Sequence, residues 1–200
     1  MKRTLFWLQC GGCGGDTWSM FNIESPNLVE LFTSLDIEIL WHPTISVKGN
    51  AAQRQLVSDV LSGTQPLDFL CIEGAIIRGP QGTGLYDLAH GKPKKDLVAA
   101  LARQAQYVIA VGTCASFGGF GADSEIEATG MQFLKWEKGG FVGESFQSKS
   151  GQPVINLPGC PCHYEIIGGT LSLLVSDASL NLTEHQSPAE WYNIMVHQGC

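Results

Sequence analysis

Arg3-Thr4-Leu5-Phe6-Trp7-Leu8-Gln9, running into Cys10-Gly11-Gly12-Cys13-Gly14-Gly15-Asp16, decides the fold. A mostly apolar run stopped by a glycine cluster reads as a buried strand that ends in a loop. The arrangement returns twice. Residues 106–111 lead into Gly112-Thr113-Cys114-Ala115-Ser116-Phe117-Gly118-Gly119, and residues 153–157 lead into Pro158-Gly159-Cys160-Pro161-Cys162-His163. Two further strands are expected at 36–41 and 67–72, the second ending at Glu73-Gly74-Ala75. Helices are expected at 25–35, with Ser25 as N-cap and Pro26 in the first turn, and at 51–61, 94–105 and 165–175. Residues 78–92 and 112–121 read as glycine-rich loops, and 122–152 carry little pattern. Strands alternating with helices imply an α/β fold, a flavodoxin-like parallel sheet with helices on both faces.

Composition narrows the function. With 44% hydrophobic and 16% charged residues, the chain has a well-filled core and little solvated surface. A formal charge of −7 argues against nucleic acid, and no basic run suggests a membrane surface. No apolar stretch reaches membrane-spanning length, and Met1-Lys2-Arg3-Thr4 leads straight into a strand rather than a secretory leader, so a cytoplasmic address is expected. Seven cysteines are many for that compartment, where such usage reports metal or redox chemistry more often than disulfides.

In an open parallel sheet the carboxyl ends of the strands line one edge, and ligands bind there. Thiols delivered to that edge by three strands can therefore meet on one object, although they are far apart in sequence. Iron–sulfur cubanes take about four anionic ligands, preferably thiolates, in a pocket with backbone N–H groups. Glycine lets the backbone approach closely enough to donate them. A phosphate-binding role for the same glycines lacks both the acidic ribose ligand and a Gly-Lys-Ser/Thr motif.

Trp7-Leu8-Gln9 with Gly11-Gly12-Cys13-Gly14-Gly15, Glu73-Gly74-Ala75-Ile76, Gly112-Thr113-Cys114-Ala115 and Leu157-Pro158-Gly159-Cys160-Pro161 together resemble the small, electron-transferring subunit of nickel–iron hydrogenases. The resemblance runs over essentially the whole chain in the family's order. In that family the first loop reads W-L-x-x-x-x-C-x-x-C. Aligned from Trp7, the first ligand is Cys13, and Asp16 stands at the second. Three thiolates and one carboxylate resemble the actinobacterial-type, oxygen-insensitive group. The resemblance thus implies a proximal [4Fe–4S] cluster on Cys13, Asp16, Cys114 and Cys160. A different fold of the glycine loop would put Cys10 on iron in place of Asp16.

The resemblance implies more. Hydrogen would be split at a nickel–iron centre, NiFe(CN)2(CO), in a separate large subunit, with electrons passing through this chain to an acceptor. The assembly would be a heterodimer, or a dimer of heterodimers. His197-Gln198-Gly199-Cys200 looks like the first half of a distal [4Fe–4S] site, with its remaining ligands and those of a medial cluster beyond residue 200. Domains then follow: 1–180 as the flavodoxin-like unit, and 181–200 as the start of an incomplete second Fe–S domain. Trp7, Trp18, Phe21 and Phe117 would insulate the cluster or meet the large subunit. Glu73 would serve at that interface or in proton traffic. The iron–sulfur subunit of a complex I-like or membrane-hydrogenase enzyme shares the Gly-Thr-Cys-Ala loop, but its adjacent Cys-Cys pair is missing here.

The remaining candidates have plainer readings. Cys71, inside an apolar strand, is expected to act as a small core hydrophobe. Cys162 and Cys10 are expected to pack beside the cluster loops, where a thiol can tune a cluster without binding it. His42, His90 and His185 read as loop residues, and His163 as a helix start near the site.

Overall fold

The computed structural model describes residues 2–194 and Gln198; His197 and Cys200 lie outside the described residues. Five parallel strands form one sheet: β1 (Arg3–Gln9), β2 (Ile37–Trp41), β3 (Leu67–Glu73), β4 (Ala105–Val111) and β5 (Ile155–Leu157). Their order across the sheet is β5-β4-β3-β1-β2. This is the doubly wound α/β arrangement expected from the alternation of elements.

Side chains alternate along each strand and so separate two cores. Leu5, Trp7, Phe69, Cys71, Ile109, Val111, Ile155 and Leu157 face one side. There they pack against Met20 of α1 (Gly15–Phe21), Phe32 of α2 (Leu28–Ser34) and Ile167, Leu171 and Leu174 of α6 (Tyr164–Val175). Phe6, Leu8, Cys10, Leu70, Ile72, Val108 and Ala110 face the other side. Their partners there include Leu56 and Val60 of α3 (Asn50–Ser62) and Val98 and Leu101 of α4 (Lys94–Ala102).

Register places the site. Gln9 pairs with Glu73, Glu73 with Val111, and Val111 with Leu157. The last residues of four strands thus stand in one row, and the loops beyond them start at one level.

Several boundaries differ from the sequence expectation. Gly15–Phe21 is helical rather than loop, and Gly112–Phe117 forms a short helix, α5. One or two turns are too short to show a hydrophobic period, and the flanking glycines disguised both. α2 begins after Asn27, not Ser25: Asn27 and Glu30 form a reciprocal capping box, which satisfies orphan N–H groups that Ser25 would not reach. Glycine-rich residues 78–92 carry a two-residue hairpin, Leu88–Ala89 with Lys92–Pro93. Residues 181–194 run along the edge of the sheet. The Asn156 N–H donates to the Gln186 carbonyl at 2.9 Å, and α7 (Ala189–Tyr192) follows. Among the described residues no helix is long and apolar enough to cross a membrane.

Candidate metal centre

The four strand-end loops are bound to one another by hydrogen bonds. Gly11 and Ala75 exchange backbone bonds of 2.9 Å, joining the loops after β1 and β3. Thr113 N–H donates to the Gly159 carbonyl at 2.8 Å, and Gly159 N–H returns a bond to Thr113 Oγ1 at 3.1 Å, joining those after β4 and β5. Cys162 N–H donates to Asp16 Oδ1 at 2.7 Å, and Ser19 Oγ donates to the Cys162 carbonyl at 2.7 Å, which ties α1 to the loop after β5. Neighbouring strands are spaced about 4.8 Å apart, so β1 and β5 stand roughly 14 Å from each other at the sheet. α1 bridges that distance, with Thr17 bonded to Glu73 at the end of β3 and Asp16 to Cys162 beyond β5.

Three thiols and a carboxylate gather on this platform. Asp16 is buried, Cys114 half-buried, and Cys13 and Cys160 exposed. The Cys114 thiol is raised above its ordinary pKa by burial first, then by the neighbouring Cys160, Asp16 and Cys13. Burial pushes the Asp16 carboxyl up to about 6; the Cys162 N–H pulls it down, and Glu73 adds to the rise. A cavity of about 290 Å³ opens against Cys114 and Cys160, walled by Phe117, Phe120 and Trp136. Among the described residues, no three His, Cys, Asp or Glu side chains stand close enough to hold a single metal ion. Cys160, Asp16 and Cys13 all act on the Cys114 thiol, so the four donors are neighbours without converging on one point.

Glycine lets the donor side chains lie against the neighbouring backbone. Gly112 has φ +85°, and a Cβ there would run into the Asp16 carboxylate. Gly119 has φ +62°, and a Cβ there would lie 2.7 Å from Cys114 Sγ. Both backbones are in the left-handed region where glycine carries no steric cost. Donor chemistry, clearance and a hydrogen-bonded frame all fit a cubane, whose ligands sit at separate corners.

The other candidates fall elsewhere. Cys10 belongs to the α3/α4 core, on the face opposite α1, because an even position in β1's alternation points that way. Burial drives its thiol up to about 12, against the pull of Lys94, itself paired with Asp87 at 2.6 Å. Cys71 is wholly buried in the other core, as expected. Cys162 is also wholly buried: burial lifts its thiol to about 12, while Tyr192 Oη, 3.9 Å from its sulfur, works the other way. Glu73 points inward, at 1% exposure, rather than toward a surface. His42 is buried against Trp7, ring centroids 5.3 Å apart, rather than loose in a loop. His185 sits among Phe117, Phe133 and Trp136. Trp7 is a core residue, while Trp18 is 65% exposed next to the cysteine loop. The bonds made by Thr17, Ser19 and Thr113 span tens of residues and had no sequence signal.

A family model described as NADH ubiquinone oxidoreductase, 20 Kd subunit, matches residues 13–174. Among curated relatives, the small subunit of F420 non-reducing hydrogenase I from Methanosarcina mazei is 29% identical over 224 residues, covering 100% of this chain and 57% of that protein. The periplasmic [NiFeSe] hydrogenase small subunit of Desulfomicrobium baculatum is 28% identical, covering 94% of this chain and 59% of its own length. The chain thus spans under two thirds of these relatives. In fold it resembles the actinobacterial-type NiFe-hydrogenase of Ralstonia eutropha H16, with a TM-score of 0.84 at 21% identity over 100% of this chain and 61% of that one.

Proposed function

From membership of the NADH ubiquinone oxidoreductase 20 Kd subunit family, to which this chain belongs, we propose that it is the electron-relay subunit of a nickel–iron hydrogenase. The observation that carries this reading is the hydrogen-bonded platform on which Cys13, Asp16, Cys114 and Cys160 gather. These four residues would hold a proximal [4Fe–4S] cluster. Such a cluster, when bound, takes up and gives away one electron at a time. The chain's own contribution is placement and shielding. Asp16, Ser19, Thr113 and Gly159 lock the loops, and Phe117 and Trp136 line the cavity.

Hydrogen chemistry is assigned to the nickel–iron centre of a large subunit. The exposed cysteine edge and Trp18 are the surface proposed to meet it, with a heterodimer as the unit and a dimer of heterodimers as the assembly. Distal and medial clusters belong to the same proposal, with His197 and Cys200 as the first distal ligands and residues from 181 on as the start of their domain. Asp16, rather than Cys10, is proposed as the fourth ligand because strand alternation sends Cys10 to the other core. The carboxylate ligand suggests the oxygen-insensitive type. The cytoplasm is the proposed compartment. One relative is named periplasmic, so fractionation of cells tests this point separately.

The respiratory reading suggested by the family's description asks for an adjacent Cys-Cys pair, which this sequence lacks. Anaerobic purification of the full chain with its partner tests the hydrogenase reading. Brown protein with equal iron and acid-labile sulfide, and hydrogen-dependent dye reduction by the complex, are expected. Colourless protein without iron contradicts it.

A further inference from the structure

Glu73 ends β3 and is 1% exposed. Its Oε1 accepts the Thr17 N–H at 3.0 Å, and its Oε2 accepts Trp7 Nε1–H at 2.9 Å and Thr17 Oγ1–H at 2.5 Å. Three donors and no acceptor face it, the pattern an ionised carboxylate satisfies. No cation balances it: among the described residues it has no ion pair, and burial holds the neighbouring His42 neutral down to about 4. Burying an unpaired charge is costly, so hydrogen bonds of this quality are what hold it there.

The place of those bonds gives them a purpose. α1 has Gly14 at its N-cap, and glycine offers no side chain to its first N–H groups. Thr17 N–H is one of those orphan donors, and Glu73 satisfies it from a strand 56 positions away. The same carboxylate holds Thr17 a second time through its hydroxyl, and is itself fixed by the indole of a fully buried tryptophan. Asp16 precedes Thr17 in the same turn. Fixing both ends of Thr17 sets the rotation of that turn, and with it the direction of the Asp16 carboxylate.

We infer that Glu73 is the positioning residue for Asp16: it caps α1 from β3 and aims the carboxylate ligand at the cluster. This inference rests on the reading of Asp16 as an iron ligand. It adds a positioning role to the interface and proton-traffic roles that the resemblance implies for Glu73.

The test uses the complete complex, purified anaerobically, with iron content, the EPR spectrum of the reduced proximal cluster and its midpoint potential as readouts. Glu73→Gln keeps the size but sets an NH2 against donors. It is expected to change the g-values toward those of Asp16→Ala and to displace the potential. Thr17→Val removes one of the three donors and should give a smaller displacement in the same direction; Thr17→Ser restores the wild-type signal. Should Glu73→Gln fail to fold, the threonine pair decides alone. Wild-type spectra and potential in Glu73→Gln and Thr17→Val, with full iron, would overturn the inference. So would a displacement in Thr17→Val that Thr17→Ser leaves uncorrected. A wild-type complex without iron would instead overturn the hydrogenase reading beneath it.

Discussion

The two faces of the sheet are built from the same strands and filled with similar side chains, yet only one carries polar chemistry at its end. On the α3/α4 face, Phe6, Leu8, Leu70, Ile72, Val108 and Leu101 close into apolar packing, and Cys10 is absorbed into it. On the α1/α6 face, Trp7, Val111 and Leu157 make an equally dry core. At and beyond their last row, however, Thr17 is buried on bonds to Glu73, and Asp16 and Ser19 on bonds to Cys162. The difference teaches that position along a strand decides the role of a cysteine more than closeness in sequence. Cys10 and Cys13 are three residues apart, and one is packed into a core while the other is exposed beside the proposed cluster.

The sharpest way to break this contrast is on the polar side. Cys114→Ser should abolish the brown absorbance and most of the bound iron, measured by metal analysis after anaerobic purification; full iron in that variant would remove Cys114 from the site. On the apolar side, Leu101→Ala should cost about 2–5 kcal/mol in denaturant unfolding through lost burial and a cavity, while folded protein keeps its iron and EPR spectrum. An altered spectrum would mean that the faces are coupled.

A third experiment uses pH. Burial holds His42 at about 4, whereas in the unfolded chain it titrates near 6.5. Between those values the unfolded state binds more protons, so stability falls as pH drops from 6.5 toward 4, by up to roughly 3 kcal/mol. Asp16, raised to about 6 in the metal-free protein, works oppositely, losing stability as pH rises from 3.8 through 6. The difference in pH slope between wild type and His42→Asn isolates the histidine, and equal slopes would refute its burial as neutral. The smallest effect is expected from Cys10→Ala, a loss of about 1 kcal/mol with unchanged iron content. Loss of iron there would return Cys10 to the ligand set.

Much of this is legible in the sequence. β1 runs over the residues expected of it, because apolar runs and glycine stops report local physics. The alternation that separates Cys10 from the site was also present in the sequence, as odd and even positions of β1. Asn27 and Glu30 announced the start of α2 by their spacing, a stronger signal than the Ser25-Pro26 pair. What was not legible is long-range. Glu73 finds Thr17 and Trp7 across 56 and 66 positions, and such pairings follow from register rather than composition. α1 and α5 were hidden because glycine, needed for clearance around Asp16 and Cys114, is also the residue that signals a loop.

The central claim is that loops after β1, β4 and β5 bring three sulfurs and one carboxylate to a single inorganic core. An iron anomalous difference map from anaerobically grown crystals of the intact complex tests it most directly. The account predicts a compact group of iron peaks bonded to Cys13, Asp16, Cys114 and Cys160. Iron bonded to Cys10 in place of Asp16, or no iron between these loops, would contradict it.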